Sequence, residues 1–158
     1  MSFTLEQERE KAMEWFRGDV DAVNFLGVVA RATQVADDLV DETVSIEQKS
    51  AWMTELWSLL LAIPTMPYGR AHHLEVLPLI LTGVIEWDCS NEWQRAPFRE
   101  SRIFGYVRRE ALESLIHYMA LVAGGAEWAR TVARDVHRWY HLEHAEGETL
   151  ETWEKEHG

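Results

Sequence analysis

Apolar side chains recur at three- and four-residue intervals along almost the whole chain, and no stretch sustains the alternation that a half-buried strand requires. A chain patterned this way hides its apolar surface by packing helix on helix. The expected fold is all-α, a single antiparallel bundle of about six helices. A first helix spans Thr4–Arg17, opened by the capping box Thr4…Gln7 and closed at Gly18. A second runs from Asp21 to Glu42, with Val23, Leu26, Ala30, Thr33, Ala36 and Val40 near one face. The third starts at the capping box Ser45…Gln48, is expected to bury Trp52, Leu56, Leu59 and Leu60, and is broken by Pro64, after which TMPYGR reads as a loop. The fourth covers Ala71–Trp87 with a kink at Pro78, and its nearly all-round apolar run Leu77–Ile85 marks it as the central, buried element. The fifth follows Pro97 over Phe98–Ala123 to the Gly124-Gly125 break, and the sixth covers Glu127–Ala145, ending at Gly147. Residues 1–147 then make one helical domain, and 148–158 an acidic C-terminal tail.

With 158 residues, 47% of them hydrophobic, and 8 Trp, a chain of this kind buries roughly 70% of its unfolded surface without staples. Its single cysteine, Cys89, excludes an internal disulfide framework and reads as a partly buried structural thiol. The N-terminal stretch MSFTLEQEREKAMEWF is acidic and amphipathic, unlike a secretion signal, and the apolar run near Leu59–Ile63 stops at Pro64, short of a membrane span. A cytoplasmic protein with no membrane partner is expected. The net charge of -12 argues against nucleic acid, whose phosphates need a basic face. One basic island interrupts the acidity: residues 95–109 carry Arg95, Arg99, Arg102, Arg108 and Arg109 against Glu100 alone.

The sharpest local feature is ADDLVDE, residues 36–42, which gathers Asp37, Asp38, Asp41 and Glu42 at the C-terminal end of the second helix. That end already carries the negative pole of the helix dipole. Like-charge pairs there cost about 0.2–0.5 kcal/mol each, and the dipole adds about 0.3–1 kcal/mol per acid. A hard divalent cation would offset this, and oxygen-only ligands over a short helical span suit magnesium. The competing explanation is a solvated acidic helix end paired with arginine.

DDLVDE resembles the aspartate-rich DDxxD motif of class I isoprenoid synthases, the all-α group of prenyltransferases, squalene/phytoene synthases and terpene cyclases. The resemblance implies magnesium bound by Asp37, Asp38 and Asp41, with Glu42 in the adjacent acidic position, and a substrate diphosphate held through the metal. It covers one helix. A second all-α group is also similar, the MazG-like and dimeric dUTPase-like nucleoside triphosphate pyrophosphohydrolases: Asp38-x-x-Asp41 approximates one half of their acidic pattern, and Glu110-x-x-Glu113 supplies the other in reversed order.

Arg102, Tyr106, Arg109, Glu113 and His117 follow spacings that make one polar stripe on a continuous helix. With Arg108 beside it, the stripe offers Arg102, Tyr106, Arg108 and Arg109 as a phosphate-binding set facing the carboxylates. His137, His141 and His144 share a face of the sixth helix, but Arg134 and Arg138 beside them favour a solvated surface. Tryptophans clustered on the surface would mark a protein partner or a homodimer. Two function classes stay open: magnesium-assisted binding of, or chemistry on, a phosphorylated small molecule, and a non-catalytic helical protein-interaction module. No individual catalytic residue is assignable from the sequence.

Overall fold

In a computed structural model that describes residues 5–109, 112–140 and Lys155, every regular element is helical. The order is α1 (Leu5–Trp15), α2 (Val20–Asp41), α3 (Ile46–Ala62), a 3-10 turn (Ile63–Thr65), α4 (Pro67–Gln94), α5 (Arg99–Arg108) and α6 (Glu113–Arg138). The chain is an all-α bundle, as its periodicity demands. Thr4, Glu110, His141, His144 and the acidic tail other than Lys155 lie outside the described residues, as does the expected end of the sixth helix at 141–147.

Local signals set the helix starts. Asp19 caps α2 by accepting from the Ala22 N–H at 3.0 Å, and Ser45 caps α3 by accepting from Gln48 N–H at 3.2 Å, as the second capping box requires. The 3-10 turn is held against α2 by a close approach at Gly69, where a Cβ would lie 2.1 Å from the Ile63 carbonyl oxygen and 3.0 Å from Phe25. TMPYGR is therefore not a loop, since Pro67 occupies the first position of α4, where a missing N–H costs nothing. The irregular turn in α4 falls at His72 (φ -127, ψ 18), where the ring stacks on Tyr68 at 4.5 Å, and not at Pro78.

The fifth helix expected over Phe98–Ala123 is two elements. It stops at Arg108, and a new helix begins at Glu113. The assigned span of α6 is itself a hairpin, because Gly125 takes φ 77, ψ -179, a conformation open essentially to glycine alone. A straight helix would put Glu113 and His137 about 36 Å apart. Instead Glu113 Oε1 lies 2.9 Å from His137 Nδ1, and the His117 and His137 rings are 5.9 Å apart. The Gly124-Gly125 signal thus marks a reversal between two antiparallel arms.

The core sits where α1, α2, the start of α4 and both arms of α6 meet, around Phe16, Phe25, Val29, Val76, Ile116 and Val136. Two expectations about packing fail. Helix α3 buries no residue: it packs on α2 and the 3-10 turn, leaving Trp52, Leu56 and Leu59 half-buried and Leu60 exposed. Nor is the run Leu77–Ile85 enclosed. Within it Gly83 is buried, whereas Leu77, Leu81, Val84 and Ile85 face outward. Helix α4 touches α2, α5 and α6, but along one side only.

Because any Cβ at residue 125 strains the reversal, Gly125→Ala should cost about 1–3 kcal/mol, read as a lower urea midpoint with unchanged slope. An unshifted midpoint would mean that the hairpin does not depend on this backbone conformation.

Candidate functional site

Helix α2 has two apolar stripes, and residues of both reach the core. Phe25, Val29, Ala32 and Val35 are buried at helical spacing. The face read from the sequence, through Val23, Leu26, Ala30 and Thr33, puts Val23 and Leu26 in the core and also walls a cavity of about 1320 Å³. Although Val23 and Leu26 are buried, Val40, assigned to the same face, is exposed. One turn beyond Thr33 the cavity stripe reaches Asp37, which puts the first carboxylate of the acidic cluster on the wall.

Other elements close the space around it. Helix α1 contributes Glu8, Arg9 and Trp15, α4 contributes Val84 and Trp87, and the start of α6 and the segment just after its end contribute Glu113 and Trp139. Arg109 enters from the junction between α5 and α6. Its guanidinium lies over the Tyr106 ring at 4.8 Å, so the buried Tyr106 steadies it. The lining is mainly apolar and aromatic, with a few charged groups, the composition typical of small-molecule pockets.

Burial pushes the Asp37 carboxyl above the ordinary aspartate range, and the neighbouring Asp41 and Asp38 charges push the same way. A hydrogen bond with the Trp87 side chain opposes them. Burial raises Glu8 as well. Two acids on this wall are therefore held short of the solvation they prefer. The other acidic residues are elsewhere: Asp38 accepts from Gln34 Nε2 at 2.9 Å, and Asp41 and Glu42 are exposed. Arg31, at the cavity edge, is engaged in a two-pronged pair with Glu55 of α3 at 2.7 and 3.0 Å.

Of the phosphate-binding set read from the sequence, Arg109 alone lines the cavity. Arg102 donates to the Ala96 and Pro97 carbonyls, closing the loop before its own helix, and Arg108 reaches Glu86 at 3.3 Å. The single stripe fails because the helix it needs is interrupted between Arg108 and Glu113. Glu113 does reach the cavity, but from the next helix, and Glu110, its partner in the Glu-x-x-Glu spacing, lies outside the described residues. Trp87 and Glu8 were not anticipated. A signal for Trp87 existed in its spacing of four from Gly83, on the buried side of α4.

Among the described residues no group of three or more His, Cys, Asp or Glu side chains could hold a metal ion. Asp37 and Asp41 interact, however, and two carboxylates completed by water and substrate oxygens are what magnesium commonly takes. Among the described residues no helix is long and apolar enough to cross a membrane. Comparison with protein-family models, with characterised proteins and with solved structures returns no match.

Replacing Asp37 by Asn removes a desolvated charge while keeping an acceptor for Trp87, and should stabilise the free protein by about 0.5–1 kcal/mol at pH 7. The raised pKa sets the sign of the pH dependence. The folded state holds this proton more tightly than the unfolded chain, so its contribution is full below the ordinary value of 3.8 and lost as pH rises through the folded value. Urea titrations of wild type and Asp37→Asn across that interval should diverge with rising pH; parallel curves would show the carboxylate to be fully solvated.

Proposed function

We propose that the cavity binds a small molecule with an apolar body and a phosphorylated head, a prenyl-diphosphate-like ligand of the class that the DDLVDE resemblance implies. The observation that carries this is the placement of Asp37 and Arg109 on one predominantly apolar cavity. In this proposal Arg109 engages phosphate oxygens directly, as a guanidinium fork does well. Asp37, with Asp41 beside it, holds magnesium only when the ligand's own oxygens complete the shell. Trp15, Trp87 and Trp139 pack the apolar body. Bound magnesium would screen the head-group charge, and its approach relieves the desolvation of Asp37. No step of bond cleavage is assigned. A cytoplasmic setting fits the lone thiol of Cys89, which has no second cysteine to pair with.

The exposed apolar side of α4 favours a second reading in which the chain is a helical interaction module. The cavity and the outward face share an edge at Val84, which lines the cavity and is also exposed.

Thermal unfolding with a prenyl diphosphate, the matching prenyl alcohol and inorganic pyrophosphate, each with and without magnesium at fixed ionic strength, tests the first. At 100 times the dissociation constant the diphosphate with magnesium should add about 2.7 kcal/mol, a rise of roughly 5–10 °C. Asp37→Asn should remove the magnesium-dependent part, and Arg109→Gln should weaken binding with or without metal. Equal shifts from the alcohol and the diphosphate would reject a phosphate site, and no shift from any of them would reject the proposal.

A further inference from the structure

Helix α1 turns one stripe into the cavity: Glu8, Ala12 and Trp15, spaced four and three. Its far end is accounted for by packing. Trp15 is buried, edge-on to Trp139 at 6.5 Å and 6.4 Å from the Tyr140 ring, and all three rings line the cavity. Glu8 has no such account. A place in the first turn suits an acid, because the helix dipole is positive there, but the other first-turn acid, Glu6, meets that preference while exposed to water. Glu8 is half-buried and faces the cavity instead.

Its charge finds no counterpart on the wall. Among the described residues no hydrogen bond or ion pair reaches the Glu8 carboxylate. The cations that share the cavity are placed elsewhere: Arg9 donates to Asn24 Oδ1 at 2.9 Å, Arg31 forks onto Glu55, and Arg109 lies over the Tyr106 ring. Burial raises the Glu8 carboxyl above the ordinary glutamate range, and no neighbouring charge opposes it. A carboxylate kept short of water in an apolar cavity gains most from a partner that brings the opposite charge with it.

We infer that this side of the cavity takes an organic ammonium: Glu8 receives the protonated nitrogen, and Trp15, Trp139 and Tyr140 receive the apolar body joined to it. Glu8 and Trp15 stand two turns apart, about 10 Å along the helix, so a short chain separates nitrogen from body. The structure already holds an ammonium against one of these rings. Lys11 Nζ lies 5.3 Å from the Trp139 ring centre, between the Glu14 and Asp135 carboxylates at 3.2 Å each. A metal ion suits the position poorly, because a hard cation takes several oxygens and Glu8 offers one carboxylate among apolar neighbours. The subsite draws on neither Asp37 nor Arg109, so it is independent of the phosphate reading.

Isothermal titration of the full chain with phenylhexylamine, phenylhexanol and phenylhexanoate, at neutral pH and matched ionic strength, tests the inference. The amine should bind at least about 10-fold tighter than the alcohol, as a charge-assisted hydrogen bond in a desolvated site provides, and the carboxylate more weakly than either. Glu8→Gln should erase the amine's advantage while leaving the alcohol's affinity and the helical circular dichroism unchanged, which separates a lost charge from a damaged cavity. The net charge of -12 attracts any cation, so Glu10→Gln serves as the control that removes the same charge from an exposed position of the same helix. It and Asp37→Asn should alter the amine's affinity by less than about 2-fold. An amine that binds no better than the alcohol would overturn the inference. So would an advantage lost equally with Glu8→Gln and Glu10→Gln, or one that follows Asp37. None of these results bears on the response to a prenyl diphosphate, and failure of that response leaves the amine's preference intact.

Discussion

The hydrogen bond from Trp15 Nε1 to Asp135 Oδ2, 2.8 Å long, joins residues 120 apart in the chain and ties its N-terminal helix to its last one. It fixes the end of α1 against the return arm of α6. Two contacts reinforce it: Trp128 Nε1 donates to the Trp15 carbonyl at 2.8 Å, and Lys11 Nζ lies 3.2 Å from the same carboxylate. Burial pushes the Asp135 carboxyl up, but the Trp15 N–H and the Lys11 ammonium outweigh it and hold the group below the ordinary aspartate range. Trp15 is buried, so its indole N–H would lose about 1–3 kcal/mol without an acceptor. The same tie sets Trp15 edge-on to Trp139 at 6.5 Å, and both rings then face the cavity. A cavity beside the core needs its far wall anchored, and this contact anchors it.

Helix α2 explains why the cavity lies beside the core and does not replace it. Its 22 residues make six turns, long enough for two stripes to run side by side. One is filled by Phe25 and Val29 in the core shared with α1, α4 and α6, and runs on to the buried Ala32 and Val35. The other faces large aromatic residues, which hold their helices apart, and the gap between them stays open.

Fold class, the Ser45 cap and the Gly124-Gly125 reversal were legible in the sequence because each depends on local chemistry: a spacing, a side-chain oxygen, a missing Cβ. What a stripe faces is not local. Val23 and Leu26 are patterned as core and are core, yet they also edge a cavity that the pattern does not announce. Leu77 and Leu81 look more buried in sequence than any core residue and stand outside. In the acidic cluster, Asp37 shares the cavity with Arg109 because helical spacing carries it there from Thr33, something a reader of DDLVDE alone cannot derive. The failed arginine stripe has a simple physical origin, since five residues share a face only on an unbroken helix, and this one stops after Arg108.

The double striping of α2 also limits how the chain can change length. One residue inserted between Val29 and Thr33 would turn everything after it by about 100° and advance it about 1.5 Å. Ala36 would then take the place of Asp37 on the cavity wall, and Val35 would leave the core in the same movement. Packing and site are therefore geared together along this helix, so that neither can slip in register without the other. A gain or loss of residues should be tolerated instead at places such as residues 42–45, where α2 has already ended and α3 has not begun.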